Sequence, residues 1–284
     1  MKTNNKALAV TVFPAKEANV NAFVFSDSES TMIVDTTRNS REAKELANLA
    51  RALGPDPEII FVTHGHPDHY LGMGALKAEF PKARILVPGA RVKDDIIGFT
   101  QFMESAHWLD GEPAMKARTA ANPNGFSYHN EIEILDADHL TMKGGSRIDI
   151  KLISSVTEAE HETVLFSKEM NAVFASDLVY NRVHLWLGVG VTLEAIGNWK
   201  AELGRLKSAY APLKSVVYPG HGEKTDTGIF DTNITYMDDL LTIVRKAKNQ
   251  EEAKALMVEK YPGWANADFL LAQSIKFQSE ILNK

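Results

Sequence analysis

A histidine-rich stretch follows an apolar segment early in the chain and limits the folds open to it. Residues 58–63 read EIIFVT and predict a β-strand, and the next six residues include His64, His66, Asp68 and His69. Polar side chains at the carboxyl end of a strand are where α/β folds usually carry their sites. This order of residues therefore predicts an α/β fold with a site at that edge.

The same stretch predicts a metal site. Side chains two residues apart on an extended segment point to the same side, so His64 and His66 can converge. Pro67 bends the chain, which lets Asp68 and His69 face a second point. Neutral imidazole is the commonest metal ligand in proteins, and carboxylates complete mixed sites. Because the chain has no cysteine, thiolate ligands, disulfides and a cysteine nucleophile are excluded, and one loop can supply two ligands to each of two metals.

Predicted strands and helices alternate along the chain. Three short β-type runs within residues 7–36 are typical of an antiparallel meander. Residues 40–54 predict a helix whose apolar side chains share one face and which ends at Gly54. From about 92 to 130 the sequence has helical stretches and aromatic residues but no clear strand, and the tail at about 232–284 is predicted to be helical. We expect one domain over residues 1–284, with 92–130 as a helical insertion.

Composition narrows the class of partner. Hydrophobic residues make up 44% of the 284 residues, which suits a globular core. The formal net charge of −6 disfavours a nucleic-acid partner. No apolar run reaches the roughly 18 residues that cross a bilayer, and the N-terminal residues do not read as a signal peptide. We expect no membrane partner and a cytoplasmic location, with a periplasmic one open if a leader was removed, and a homodimer is an open alternative.

The spacing His-x-His-x-Asp-His after an apolar strand resembles the metallo-β-lactamase superfamily. Further matches run in order from about residue 20 to 225: His161 precedes an apolar strand, Asp177 follows one, and His221 lies in a Pro-Gly-His-Gly context. The resemblance implies an α/β (α+β) fold, the four-layer αβ/βα sandwich with its metal site at one edge. It also implies a ligand set: His64, His66 and His161 on one metal, Asp68, His69 and His221 on the second, and Asp177 bridging both.

The chain departs from the family pattern in places. The usual Gly-His-Thr-Pro-Gly context is absent around His161, so His139 is a rival for that position. The lack of cysteine makes the site more similar to those of glyoxalase II, lactonases and ribonuclease Z than to zinc β-lactamases with a cysteine ligand. Asp35 matches a position that supports the metal loop through hydrogen bonds, although it could instead be a turn residue at a strand end.

The resemblance implies a hydrolase with two zinc ions, with iron or manganese as alternatives. A metal-bound hydroxide would cleave an ester, lactone or related acyl bond of a small-molecule substrate, and Asp68 and Tyr180 are the predicted catalytic residues. Tyr180 lies three residues after Asp177, an offset that acyl-homoserine lactonases share, although it could be a packing residue. The predicted pocket residues are Phe102, Trp108, His184 and Trp186.

Other functions remain open at this point. A thioesterase similar to glyoxalase II, or a β-lactamase, would use the same residues. So would a mono-iron enzyme similar to persulfide dioxygenases, because sequence does not fix the metal. A binding module without metal would be expected to have lost ligands, and all seven are present.

Overall fold

The computed structural model describes residues 7–282 and divides the chain into two compact units. The first comprises the chain up to Leu152 together with Thr163–Met170, and the second comprises Ile153–Glu162 and the chain from Asn171 onward. Residues 1–6 belong to the N-terminal segment that does not read as a signal peptide, and they lie outside the described residues. The single domain over 1–284 stays a prediction.

The first unit contains both strands and helices. Its strands are β1 (Ala9–Pro14), β2 (Asn21–Ser26), β3 (Thr31–Val34), β4 (Ile59–Phe61), β5 (Arg84–Val87), β6 (Ile132–Ile134), β7 (His139–Thr141), β8 (Arg147–Ile153) and β9 (Glu162–Ser167). The last residue of β8 and the first of β9 are counted with the second unit. Its helices are α1 (Ser40–Leu53), α2 (Pro67–Tyr70), α3 (Met73–Glu79), α4 (Ala90–Ser105) and α5 (Tyr128–Glu131).

The first unit contains a six-stranded sheet. The strands follow in the order β1-β2-β3-β4-β5-β6, antiparallel from β1 to β3 and parallel from β3 to β6. The predicted antiparallel meander is thereby confirmed. Parallel neighbours place the carboxyl ends of β3 and β4 at the same edge, which is where the histidine-rich stretch begins.

Helix α1 shows why these residues fold as they do. Asn39 caps it, because its side-chain oxygen accepts the backbone N–H of Glu42 at 2.8 Å. Five apolar side chains are predicted to share one face of the helix. Four of them are buried in the core together with Ile33 and Ile60 of the sheet, namely Ala43, Leu46, Ala47 and Ala50. The fifth, Leu53, is partly buried and packs against this core. The helix ends before Gly54, as predicted.

The second unit contains short strands and long helices. Its elements are β10 (Ala172–Phe174), β11 (Tyr180–Asn181), α6 (Leu193–Tyr210), β12 (Val216–Tyr218), β13 (His221–Gly222), α7 (Ile229–Lys246), α8 (Gln250–Lys260) and α9 (Ala272–Leu282). Strand β10 pairs in parallel with β12, and β11 in parallel with β13. The predicted helical tail is confirmed over the residues that the structure describes.

The predicted insertion at 92–130 contains most of helix α4, followed by turns as far as α5. Within the described residues it holds no strand longer than the isolated bridge between Ala117 and Phe126. Across residues 7–282, none of the helices combines the length and the apolar character that crossing a membrane requires.

Candidate metal centre

The histidine loop, residues 63–70, leaves the end of β4 and runs into helix α2. His64 and His69 are fully buried, and their rings lie 4.3 Å apart between centroids. The His66 ring lies 4.8 Å from that of His64, and His66 is half-buried, as is Asp68. Pro67 occupies the first position of α2, where its missing N–H costs nothing. Three imidazoles are thus gathered on one turn, as the sequence predicts.

Asp35 supports this loop from the end of the neighbouring strand β3. Its carboxylate accepts the backbone N–H of Thr63 at 2.9 Å and lies 2.8 Å from Nδ1 of His69. The hydroxyl of Thr63 lies 3.0 Å from Asp35 Oδ2 and 3.0 Å from His64 Nδ1. Asp35 adopts a left-handed backbone conformation (φ 61°), which is uncommon for a residue with a side chain. The predicted supporting role of Asp35 is therefore confirmed as a hydrogen-bonding role.

These contacts assign the histidine tautomers. An ionised carboxylate only accepts, so Thr63 donates its hydroxyl proton to Asp35 and accepts Nδ1–H of His64. The same argument makes His69 the donor from Nδ1 to Asp35. In the neutral rings the acceptor lone pair then lies on Nε2 of both histidines. A carboxylate that orients an imidazole through its other nitrogen is the usual companion of a metal-binding histidine.

Asp177, Tyr180 and His221 come together in the second unit. Asp177 follows β10 in a 3₁₀ turn, and its side chain is 1% exposed. Its Oδ2 lies 3.1 Å from the Tyr180 hydroxyl and 3.3 Å from Nε2 of His221. The rings of Tyr180 and His221 stack with their centroids 4.5 Å apart and their planes 2° apart. The pairing of β11 with β13 accounts for this stacking, because it sets these two residues side by side.

Helix α7 fixes the main chain of Tyr180. Asn233 accepts the Tyr180 N–H at 2.9 Å and donates to the Tyr180 carbonyl at 2.8 Å. Asn233 is fully buried. The sequence contains a signal for the burial of Asn233, because this polar residue lies on the apolar face of α7 between Phe230 and Tyr236.

Two glycines allow the turn that carries His221. A Cβ at Gly220 would collide with Asp177 Oδ1 and with the backbone of Ser176. Gly222 has a left-handed backbone (φ 92°), and a Cβ there would collide with the carbonyl of Asn181. The Pro-Gly-His-Gly context is therefore a steric requirement for bringing the chain past Asp177.

Glu158 is a candidate ligand that the sequence reasoning missed. It lies in the loop 154–161, is 4% exposed, and its Oε1 accepts from the Tyr180 hydroxyl at 3.3 Å. One carboxylate oxygen of Glu158 lies within 4.8 Å of one of Asp177. The loop turns between Thr157 and Ala159, whose N–H and carbonyl lie 3.0 Å apart, and this turn directs Glu158 inward.

The predicted ligand His161 and its rival His139 have other surroundings. His161 is half-buried three residues beyond Glu158 and does not belong to the groups of described side chains that could hold a metal. His139 lies on β7 with its Nδ1 2.7 Å from the exposed Asp138.

The described side chains that could hold a metal are found in both units. They are His64, His66, Asp68 and His69 in the first unit, and Glu158, Asp177 and His221 in the second. Imidazole and carboxylate groups are suitable ligands for divalent metals, so the residues in each unit fit the predicted metal ions.

The predicted pocket residues lie in aromatic clusters of their own units. In the first unit, Phe102 and Trp108 are 51% and 60% exposed and meet edge to face, 5.3 Å apart. In the second, the half-buried Trp186 stacks on Phe269 at 6.1 Å. Their role in binding a substrate stays a prediction.

His184 is buried, with Nδ1 2.8 Å from the Tyr236 hydroxyl and its ring beside that of Trp264. Burial lowers its pKa from 6.5 to about 4. Between these values the unfolded chain binds a proton that the folded chain does not, so stability is full above pH 6.5 and falls as the pH drops toward 4. This loss amounts to up to about 3 kcal/mol.

We therefore expect His184→Gln in metal-free protein to remove most of that pH dependence. Urea unfolding of both proteins at pH 7.5 and pH 4.5 measures it. An unchanged difference in the free energy of unfolding between the two pH values would assign the acid sensitivity to other groups.

A family model matches most of the chain. The family model of the metallo-beta-lactamase superfamily matches residues 15–221. No curated protein sequence matches the chain.

Solved structures share the fold. A metallo-beta-lactamase family protein from Thermus thermophilus superposes with a TM-score of 0.62 at 18% identity, covering 96% of this chain and 94% of that one. A metallo-beta-lactamase from Pontibacter korlensis gives 0.55 at 15% identity over 82% and 95%. The sec-alkyl sulfatase PisA1, solved as a double mutant, gives 0.60 at 13% identity over 92% of this chain and 47% of that chain. At such identities the likeness concerns the fold, and it confirms the α/β class expected from the sequence.

Proposed function

Since this chain belongs to the metallo-β-lactamase superfamily, we propose that it is a metal-dependent hydrolase that cleaves an ester, lactone or related acyl bond. The observation that carries the proposal is the orientation of His64 and His69, whose Nδ1 atoms are committed to Thr63 and Asp35 and whose Nε2 atoms carry the lone pair. Imidazoles held in this way are prepared to bind a cation.

The proposed centre takes two divalent ions, zinc in the first instance, with iron or manganese as alternatives. The proposed ligands are His64, His66, Asp68 and His69 in the first unit, and Asp177 and His221 in the second. Bound ions of this kind would lower the pKa of a water to about 7 and polarise a carbonyl. The side chains of this protein would hold each metal ligand in position. Asp35 orients His69, and Tyr180 and His221 contact Asp177.

The proposed substrate is a small acyl compound. A chain with net charge −6 is poorly suited to a polyanion such as nucleic acid. The cytoplasmic location, the absence of a membrane partner and the homodimer alternative remain predictions from the sequence.

A substrate panel tests the proposal. Protein loaded separately with Zn²⁺, Mn²⁺ or Fe²⁺ is assayed against an ester, a lactone, a thioester and a β-lactam, and for oxidation of a glutathione persulfide. Acyl hydrolysis that disappears with a chelator and returns with metal is the expected result. Turnover of the thioester or the β-lactam alone would select one of those alternatives, and persulfide oxidation by the iron form with no hydrolysis would contradict the proposal.

Tyr180→Phe tests the proposed catalytic role of the hydroxyl. We expect kcat on lactones and esters to fall about a hundredfold, the usual cost of losing one donor to the oxyanion. The ring should still stack on His221, so the fold should survive. Metal content measured beside kcat separates two contributions of the hydroxyl, since a loss of metal would report its contacts with Asp177 and Glu158, and a fall in kcat at full metal content would report its contact with the substrate.

Trp108→Ala tests the proposed pocket role of residues 92–130. Because Trp108 is largely exposed, its removal should cost little stability. We expect KM for the preferred substrate to rise by about tenfold with unchanged metal content, the order of magnitude of a lost apolar pocket contact. Identical kinetics on the whole panel would make the aromatic pair a structural feature or an oligomer contact.

A further inference from the structure

We propose that Glu158 is a metal ligand and takes the position that the family resemblance assigns to His161. The inference rests on the metal centre of the proposed function and adds a carboxylate to it. It does not depend on which acyl bond the protein cleaves.

The first argument is charge. Glu158 and Asp177 are both almost completely buried, and oxygens of their carboxylates come within 4.8 Å of each other. Two carboxylates buried so close together are costly to leave uncompensated, and buried acidic groups are typically paired with a cation or bound to a metal. A divalent ion shared by the two carboxylates would supply this compensation.

The second argument is orientation. One hydroxyl, that of Tyr180, lies 3.3 Å from Glu158 Oε1 and 3.1 Å from Asp177 Oδ2. Asn233 holds the main chain of Tyr180 from both sides, so the hydroxyl has a fixed place. It therefore directs both carboxylates toward a common point, as a group that orients metal ligands does.

The third argument is position along the chain. The resemblance places a ligand shortly before strand β9, and both Glu158 and His161 meet that condition. Of these two, Glu158 is buried at the turn beside Thr157, whereas His161 is half-buried, and Glu160 between them is exposed. A search for histidine alone overlooks this substitution.

The chemical consequence is a harder ligand set. Glu158 replaces a neutral imidazole with an anion, which raises the share of oxygen donors. Oxygen ligands suit Mn²⁺, whereas imidazole suits Zn²⁺. The ratio of the affinities for Mn²⁺ and Zn²⁺ is therefore a readout that does not require any catalytic activity.

Four variants of the full chain test the proposal, each titrated with Zn²⁺ and with Mn²⁺ by calorimetry after removal of metal. Glu158→Gln keeps the shape of the side chain and should weaken at least one metal equivalent by about tenfold or more. Glu158→His should keep two equivalents and shift the preference toward Zn²⁺. His161→Ala and the matched exposed control Glu160→Gln should bind as the unaltered protein does.

The outcomes are distinct. Loss of a metal equivalent in His161→Ala, with Glu158→Gln unaffected, would overturn the proposal. Loss in both Glu158→Gln and Glu158→His would also overturn it, because a ligand position should accept the imidazole whereas a packing position should not. If the metal results are as expected but the substrate panel shows no hydrolysis, the ligand assignment stands and the proposed function fails.

Discussion

Asp177→Asn is expected to reduce acyl hydrolysis at least a thousandfold, the largest effect of any single change in the second unit. Asp177 is the proposed bridging ligand, and the amide would carry no charge to hold the two ions. Changes to groups that only orient a ligand cost roughly 10- to 100-fold in metal affinity or activity, so loss of the bridge should cost more. The asparagine oxygen can still accept from Tyr180, and the fold should therefore be retained.

Steady-state kinetics and elemental analysis on the same preparation measure this effect. Metal-replete protein should contain close to two equivalents before the change and clearly fewer after it. Asp238→Asn is the matched control, since this exposed carboxylate pairs with Lys200 at the surface. A stoichiometry of one in the unaltered protein, with Asp68 and His221 both dispensable, would contradict the dinuclear proposal and favour the mono-iron alternative.

Gly220→Ala is expected to damage the same centre without altering any proposed ligand. The added methyl group would collide with the backbone of Ser176, which cannot move aside as a side chain can, and with Oδ1 of Asp177. The Asp177 side chain is itself buried and held by contacts of its Oδ2 with Tyr180 and His221. Overpacking of this kind typically costs about 1–3 kcal/mol. Because the displaced atom is a proposed ligand oxygen, metal affinity should fall together with stability.

Thermal unfolding with and without added Zn²⁺ measures both effects. Gly204→Ala in helix α6 is the matched control, because a Cβ there meets nothing within 4 Å. It should stabilise the helix by up to about 1 kcal/mol. If Gly220→Ala binds metal as tightly as the control, the close approach of residue 220 to Asp177 has no part in the site.

What could be predicted from the sequence depended on how local the signal was. The buried face of α1 follows from a helical period within fourteen residues, and the histidine loop follows from a spacing within six. The family pattern predicts that Asp35 supports the metal loop through hydrogen bonds, and the structure shows that its partners are Thr63 and His69.

Glu158 and Asn233 mark the limit of that reasoning. Glu158 lies in a loop without a regular period, so no pattern says which residue of that loop turns inward, and the family pattern has a histidine at this point. Asn233 acts on a residue 53 positions earlier in the chain. Its place on the apolar face of α7 was visible in the sequence, but its partner was not.

The match to the family model ends at His221, yet the folding unit does not end there. A chain cut at that border would lose Asn233, and the buried N–H and carbonyl of Tyr180 would lose the partners that the helix supplies. Each such loss costs about 1–3 kcal/mol. The segment that matches the family and the smallest autonomous fragment thus have different borders, and any graft or domain swap has to carry α7 along with the ligands.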